Sequence, residues 1–307
     1  QDAAFRRVTM GAGVLVLALL AAIAVFLVLQ ALPALRVDQA SFLTTTTWQP
    51  DATPPRFGVL ALAWGSLLSS LLALVMSVPV ALGVALYITV YAPRRVAGTL
   101  AYVTDMLAAV PSVVYGLWGL YFLLPNLVGF QHFLATRLGW IPIFADPNNA
   151  TSVLSKSIFG ASMILAIMIL PIVAAISREI FAQVPSGNVE AALALGATRW
   201  EMIRLAMLRP SRPGLLSAVM LGLGRALGET IAVALVIGSS FEVKTQILTP
   251  GGNTIAANIA NLFGEAGTVG RGALIASGLV LFAITLVVNL AGRAVIYRAG
   301  VTERSVV

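Results

Sequence analysis

Apolar residues run along the chain in long unbroken segments rather than in the short alternation of a half-buried strand. Six segments hold about 20 or more mostly apolar residues, the length that an α-helix needs to cross a lipid bilayer. They are residues 10–32, 57–91, 106–130, 157–176, 213–237 and 273–291. Continuous apolarity of this length is typical of helices and not of barrel strands, so the pattern predicts an all-α polytopic membrane protein with six transmembrane helices.

Composition supports a membrane protein and excludes several other classes. The chain of 307 residues is 59% hydrophobic and only 10% charged, and it has no cysteine. So little charge could not cover a soluble surface, and so much hydrophobicity excludes disorder. Without cysteine, disulfide scaffolds, zinc fingers and thiolate iron–sulfur sites are excluded. The net charge of +7 is not a nucleic-acid footprint, because no run of basic residues exceeds two.

The basic residues predict the orientation of the six helices. Most of the 19 Lys and Arg residues lie on the side that holds both termini and the polar loop 177–212. Because positively charged loops remain in the cytoplasm, both termini are predicted to be cytoplasmic. We expect a first transmembrane helix and external loop over residues 1–56, a membrane core over 57–295, and a cytoplasmic tail over 296–307.

The fifth apolar segment carries two charges. Arg225 lies near its middle, and Glu229 follows four residues later, on the same face of a continuous helix. A charge at the centre of a membrane helix costs about 2.5–3.5 kcal/mol, so the pair is expected to face a polar cavity and to be partly neutralised internally. A guanidinium suits a tetrahedral oxyanion, and Thr230 could add a hydroxyl donor. A purely structural Arg–Glu pair is the alternative interpretation.

Other polar positions near the spans are less specific. Small residues form two strips on the fifth segment, Gly224 with Gly228 and Ala218 with Gly222 and Ala226, which would let neighbouring helices approach closely. Ser112 in the third segment could face the pathway or bond back to its own helix. Asp105 is expected to cap that segment.

The loop 177–212 is predicted to fold into two short helices joined at an elbow. Asn188 is a plausible N-cap of the first helix, and Gly196 would end it. Thr198 and Glu201 match a capping box that starts the second helix toward Leu208, and Pro210 with Pro213 would bound the start of the fifth span. Such an elbow could dock on a partner protein, or it could lie on lipid headgroups.

Some chemistry is not expected of this chain. Neither of its two lysines follows a glycine, so no phosphate-binding Walker loop is possible and ATP hydrolysis by that route is excluded. The single histidine, His132, has no cysteine to join it in a metal site, so we predict no metal and no cofactor bound by this chain.

Two motifs resemble a known transporter family. The stretch EAALALGATRWEMIRLAML over residues 190–208 is similar to the EAA loop of ABC importer permeases. It departs from that pattern at Arg209, which stands where proline is expected. The stretch GLGRALGETIAV over residues 222–233 resembles the PstC family of phosphate-importer permeases, as do residues 110–119 and 249–261.

The resemblance implies a type I ABC importer permease. Its elbow would be the coupling helix that docks on an ATPase subunit, and this chain would not be an enzyme. Implied partners are a PstA-type permease, two PstB-type ATPase subunits that hold ATP and Mg, and an extracytoplasmic phosphate-binding protein. The residues implied in ATPase coupling are Glu190, Ala191, Ala192, Gly196 and Trp200.

The residues implied in the substrate pathway are Arg225, Glu229, Thr230 and Ser112. A permease for another oxyanion, such as sulfate or molybdate, is an open alternative, because a guanidinium does not discriminate these by charge. A proton-coupled secondary transporter with Glu229 as relay is a second one, although it would not need a docking elbow. A membrane scaffold that transports nothing is the third.

Overall fold

The computed structural model describes residues 2–146 and 156–304, which are mostly helical. The helices are α1 (Asp2–Val37), α2 (Leu60–Leu86), α3 (Arg94–Ala108), α4 (Ser112–Trp118), α5 (Leu124–Leu138), α6 (Ile158–Ala182), α7 (Ser186–Ala194), α8 (Arg199–Met202), α9 (Arg209–Gly228), α10 (Ile231–Val236), α11 (Ile255–Leu262) and α12 (Thr268–Arg304). π-Helical turns extend α2 (Tyr87–Tyr91), join α4 to α5 (Gly119–Leu123) and join α8 to α9 (Ile203–Leu208), and a 3₁₀ turn (Pro142–Phe144) follows α5.

Five helices in the described residues are long and apolar enough to cross a membrane. They are Phe5–Val37, Leu60–Tyr91, Ser112–Leu138, Ile158–Ala182 and Thr268–Val295. These match five of the six predicted spans. The third starts later than expected, because Pro111 separates it from α3. Asp105 therefore does not cap this span; it lies within α3, and its Oδ2 is 3.3 Å from Nη2 of Arg178 on α6.

The predicted fifth span, residues 213–237, is not one helix. Helix α9 ends at Gly228, two residues lie outside helical hydrogen bonding, and the short α10 follows. At its other end α9 is longer than expected, because the helical path runs unbroken from α8 through the π turn. Pro210 and Pro213 therefore lie inside the helical run and do not bound it.

The all-α prediction is wrong in one place within residues 2–146 and 156–304, because residues 48–57 contain a short β-hairpin. Strands β1 (Trp48–Gln49) and β2 (Arg56–Phe57) pair antiparallel between α1 and α2, in the segment predicted to be an external loop. The Phe57 ring is fully buried and meets Phe42 and Trp48 edge to face. The hairpin holds Asp51 against the start of α12, where its carboxylate accepts the N–H groups of Gly267 and Gly270 at 3.1 and 3.0 Å.

Small side chains hold the core helices together. Helix α6 is the most buried of the spans, and α2 packs along it with a buried row of serine and alanine. Helix α9 joins them where Gly222 meets Val173 of α6. Membrane helices associate through such close backbone approaches because lipid removes the hydrophobic driving force.

A glycine turn closes the hairpin end of this core. Gly251 and Gly252 both have positive φ, +115° and +88°, which explains why glycine occupies these two positions. The turn leads into α11, whose first N–H, that of Ile255, bonds to the Ser66 hydroxyl at 3.0 Å. The Asn253 carbonyl lies so close to Gly65 on α2 that a Cβ on Gly65 would collide with it.

We predict that Gly65→Ala destabilises the protein, while Gly83→Ala on the same helix does not. A Cβ on Gly83 meets nothing within 4 Å, so that change should be neutral or slightly stabilising. At Gly65 the turn must move, at a cost of about 1–3 kcal/mol. Thermal unfolding of the two purified variants measures this difference, and equal melting temperatures would contradict the close contact.

Candidate functional site

Two of the predicted site residues, Glu229 and Thr230, lie at the break between α9 and α10. Glu229 is extended (φ −68°, ψ 125°), and its carboxylate accepts the Ala232 N–H of α10 at 3.2 Å. The Thr230 hydroxyl donates to the Gly228 carbonyl at 3.1 Å. Both side chains therefore bond to backbone groups that the break frees. Glu229 is buried, with 9% of its surface exposed.

The expected pairing of Arg225 with Glu229 is not formed. The prediction assumed a continuous helix, in which residues four apart share a face. Because α9 ends at Gly228, the Glu229 side chain is directed to α10 instead. Within residues 2–146 and 156–304, Arg225 has no acidic partner within ion-pair distance.

Arg225 is exposed on the wall of a large cavity between α1, α6, α9 and α12. The cavity has a volume of about 1070 Å³. Its lining residues are Leu17, Leu20, Ile172, Ser217, Met220, Leu221, Gly224, Arg225, Leu286, Asn289, Leu290 and Arg293. Of the four residues predicted for the pathway, the structure brings only Arg225 to this cavity. Ser112 is the first residue of α4, half-buried, and it lies elsewhere, as do Glu229 and Thr230.

Sequence reasoning missed two polar residues of the cavity, Asn289 and Arg293. Arg293 lies just beyond the apolar segment 273–291 and was counted as a loop charge. Helix α12 continues past it, so the two residues lie one turn apart on the same face of a membrane helix. The sequence feature that could have identified them is the i, i+4 spacing of an amide and a guanidinium at the end of an apolar segment.

The electrostatics of the cavity favour an anion. Neither Arg225 nor Arg293 has a carboxylate partner in the part of the chain that the structure describes. The Tyr115 hydroxyl on the neighbouring α4 is already engaged, because it donates to the Leu107 carbonyl at 2.9 Å. Most of the other lining side chains are apolar, so the positive charges are weakly screened. Two unpaired guanidinium groups in such walls can bind an oxyanion.

The two strips of small residues on α9 have different surroundings. Ala218, Gly222 and Ala226 are buried, and this strip packs on α6 as expected. Nothing lies within 4 Å of a Cβ placed on Gly224 or Gly228. The second strip is therefore open in this chain, on the side where Arg225 faces the cavity.

The polar loop forms the predicted elbow, with one correction. Helix α7 begins at Ser186 after Pro185, so Asn188 lies inside its first turn and is not the N-cap. Gly196 ends the helix at φ +82°, and the N–H groups of Gly196 and Ala197 bond to the carbonyls of Leu193 and Ala192, which is a Schellman motif.

The capping box is present as predicted. The Thr198 hydroxyl accepts the Glu201 N–H at 3.3 Å, and the Glu201 carboxylate accepts the Thr198 N–H at 2.8 Å. These two caps, with Met202 and Ile203 buried beneath them, give the elbow a defined shape.

The outer surface of the elbow presents apolar side chains to solvent. Glu190, Ala191 and Gly196 are exposed, whereas Ala192 is half-buried and packs inward. Trp200 is 61% exposed, and Leu195, which the sequence reasoning did not select, is 89% exposed. Leu195 directly precedes Gly196 of the Schellman turn and is the more exposed of these two apolar side chains.

Comparison with known proteins identifies relatives over nearly the whole chain. Residues 77–300 match the family model described as binding-protein-dependent transport system inner membrane component. The phosphate transport system permease protein PstC 2 of Mycobacterium tuberculosis is 43% identical over 293 residues, 95% of this chain and 90% of its own. PstC of Mycobacterium leprae is 42% identical over 89% of this chain and 86% of its own.

Solved structures share the fold at low sequence identity. A chain of the MetNI methionine ABC transporter in an inward-facing conformation superposes with a TM-score of 0.55 at 16% identity, over 78% of this chain and 95% of that one. A chain of a bacterial ABC transporter that imports alginate superposes with a TM-score of 0.54 at 18% identity, over 76% and 79%. The fold is that of an ABC importer permease.

We predict that the elbow loosens at acidic pH through Glu201. Hydrogen bonds from the backbone N–H and the hydroxyl of Thr198 lower the pKa of Glu201 below its ordinary value of 4.5. A group whose pKa is lower in the folded state stabilises it above the ordinary value, and the contribution is lost as pH falls through the lowered value. Hydrogen exchange of the amides of α8, corrected for intrinsic rates, should therefore speed up below about pH 4.5. Glu201→Gln keeps the geometry without the charge, so the same acid dependence in that variant would contradict the assignment.

Proposed function

The chain belongs to the family of binding-protein-dependent transport system inner membrane components, and we propose that it is the permease subunit of an ATP-driven inorganic phosphate importer. Family membership makes it a multi-pass inner-membrane permease subunit and not an enzyme. The phosphate specificity is supported by the names of relatives at 36–43% identity over most of the chain.

The observation that carries the proposal is an unpaired guanidinium on the wall of the cavity between α1, α6, α9 and α12. Arg225 faces a cavity with mostly apolar walls and has no carboxylate partner among the described residues. Such a charge is costly in a membrane, and a bound anion offsets the cost. Phosphate is tetrahedral, and its oxygens match the parallel donors of the guanidinium fork. Arg225 therefore offers charge to phosphate near the middle of the membrane.

The broken helix completes the sixth crossing. Helices α9 and α10 together cross the membrane, with Glu229 and Thr230 satisfying backbone groups at the break. Irregular backbone at membrane depth is tolerated where it is buried in protein or lines a cavity. Both termini and the elbow are then cytoplasmic. Residues 1–56 form the first crossing with its external hairpin, and residues 57–295 form the core. Ser112 and Thr230 remain candidate pathway residues, although neither lines the cavity that holds Arg225.

The elbow is the docking site for an ATPase subunit. Its exposed residues, Glu190, Ala191, Gly196 and Trp200, form the contact surface with Leu195 at its tip, while Ala192 anchors it inward. ATP and Mg are held by the partner, of PstB type, in two copies. A PstA-type permease forms the other half of the path, and an extracytoplasmic binding protein delivers phosphate. The relatives' names and the importer fold support these partners.

We predict that Arg225→Gln abolishes most phosphate uptake. Loss of charge-assisted hydrogen bonds worth about 1.5–3 kcal/mol corresponds to a fall of roughly 10- to 100-fold. Uptake is measured with radiolabelled phosphate in proteoliposomes that hold the assembled complex, binding protein and internal ATP. Arg225→Lys, which keeps the charge, should retain part of the uptake. Arg137→Gln, at the exposed end of α5, is the matched control.

The same preparation separates the alternatives. Competition by sulfate or molybdate at phosphate-like concentrations would indicate a permease for another oxyanion. Uptake by this chain alone on a proton gradient, without ATP, would indicate a secondary transporter. Normal uptake by Arg225→Gln in an intact complex would contradict the pathway role.

We also predict that Leu195→Asp uncouples the permease from its ATPase. A charge at an exposed apolar anchor costs about 2 kcal/mol of binding or more, roughly 30-fold in affinity. Co-purification of the ATPase and phosphate-stimulated ATP hydrolysis should both fall. Leu43→Asp places the same charge at a leucine that is 63% exposed in the predicted external loop, and it should change neither. Undiminished ATPase binding by Leu195→Asp would remove the elbow tip from the interface.

A further inference from the structure

The contact between α9 and α12 shows how the polar groups of the cavity are ordered. The two helices are antiparallel: α9 runs from the elbow toward the glycine turn, and α12 starts beside the hairpin. Gly292 on α12 lies beside Met220 on α9, because a Cβ placed on Gly292 would lie 2.6 Å from the terminal methyl of Met220. This contact defines a common reference level on the two helices. At a rise of 1.5 Å per residue, the backbone of Arg225 lies about 7–8 Å from this reference level, toward the hairpin end. The backbone of Asn289 lies about 4–5 Å from it in the same direction.

Arg293 lies on the other side of this level. The same rise places its backbone about 1–2 Å toward the elbow, so the backbones of the two arginines are separated by about 9 Å along the helix axes, with Asn289 between them. Ser217 lies about 4–5 Å toward the elbow, at the inner part of the cavity. The Ser217 hydroxyl already donates to the Pro213 carbonyl at 3.1 Å, so it is not free to donate to a ligand.

We propose that Asn289 and Arg293 form a second oxyanion-binding station, on the elbow side of Arg225, which receives phosphate from it. This inference rests on the proposed function, because it assumes that an oxyanion crosses this cavity. Asn289 lies between the two guanidinium levels and can donate hydrogen bonds from its amide without adding charge. Arg293 supplies the charge that draws the anion toward the elbow.

Two stations answer a difficulty that a single one creates. An unpaired guanidinium between apolar walls holds an anion strongly, yet conduction requires that the ion also leaves. With Glu229 bonded to α10, no carboxylate among residues 2–146 and 156–304 forms an ion pair with Arg225 that would weaken its hold on the anion. A second guanidinium, that of Arg293, stabilises the anion as it leaves Arg225. Transport then becomes a transfer of the anion between two sites of similar affinity.

A phospholipid headgroup presents the same phosphate chemistry, and the cavity geometry favours the free anion. A headgroup binds at one level near the interface, and acyl chains follow it. Here the backbones of the polar residues extend over about 9 Å along the helix axes, from Arg293 to Arg225, and do not lie at one level. Leu17 and Leu20 of α1 form the apolar wall opposite them.

The first test is transport by Arg293→Gln in the assembled complex with its binding protein. We expect the maximal rate of phosphate uptake to fall about 10-fold or more, by loss of a charge-assisted contact. Arg293→Lys should recover part of it, and ATP hydrolysis by the docked ATPase reports that assembly is intact. Arg271→Gln, on the first turn of the same helix, is exposed and outside the cavity, and it should behave as wild type.

The second test uses the absence of cysteine from the chain. Ser217→Cys introduces a single thiol in the cavity, and its reaction with neutral N-ethylmaleimide is followed in the complex. Inorganic phosphate should slow the reaction, and Arg293→Gln should remove this protection while Arg271→Gln keeps it. The result should be the same in vesicles of phosphatidylcholine alone and in vesicles that also contain phosphatidylglycerol.

The outcomes separate this inference from the proposed function. Wild-type rates and unchanged protection in Arg293→Gln, with uptake lost in Arg225→Gln, would overturn the second station and leave the importer. Thiol protection that follows phosphatidylglycerol content and ignores phosphate would overturn it in favour of a lipid site. No ATP-driven phosphate uptake by the wild-type complex would overturn the proposed function itself.

Discussion

The hydrogen bond from the Ala232 N–H to the Glu229 carboxylate is the interaction on which the site depends. A membrane helix must satisfy its own backbone, because the bilayer core offers no water. Where α9 stops at Gly228, Glu229 caps the start of α10 and Thr230 bonds to the Gly228 carbonyl. In the proposed sixth crossing, these two bonds would satisfy backbone groups that the bilayer leaves without partners. The carboxylate that could have neutralised Arg225 is engaged there, so the guanidinium stays available to a ligand.

One face of α9 packs against the core helices, and another face is open and carries Arg225. Gly222 is buried against Val173 on α6, while Gly224 faces open space beside Arg225. Helices in membranes hold together through small residues at close contacts, so the buried strip fixes α9 rigidly. Packing on this buried strip therefore positions the backbone of α9, while the exposed Arg225 side chain projects from the open face.

The sequence predicted what local chemistry determines, and it failed where tertiary contacts decide. Arg225 stands out because a charge in an apolar run is rare, and Gly196 because only glycine readily takes a positive φ at the end of a helix. The role of Glu229 could not be predicted from helical spacing, since the spacing itself assumes an unbroken helix. Arg293 was assigned to a loop because hydropathy defines the apolar run and not the helix, and only the contacts of α12 place it in the cavity.

The unbroken helical path from α8 to α9 connects the elbow directly to the site. Pro210 and Pro213 lack the N–H that would continue an α-helix, and the π turn over Ile203–Leu208 lies immediately before them. From Arg199 to Arg225 the path is about 39 Å long at 1.5 Å per residue. A helix is stiff along its axis, so in the proposed importer a displacement of the docked elbow moves Arg225 as well. No loop separates the elbow from Gly228 in this part of the described chain, although Pro210 and Pro213 each remove one helical N–H donor.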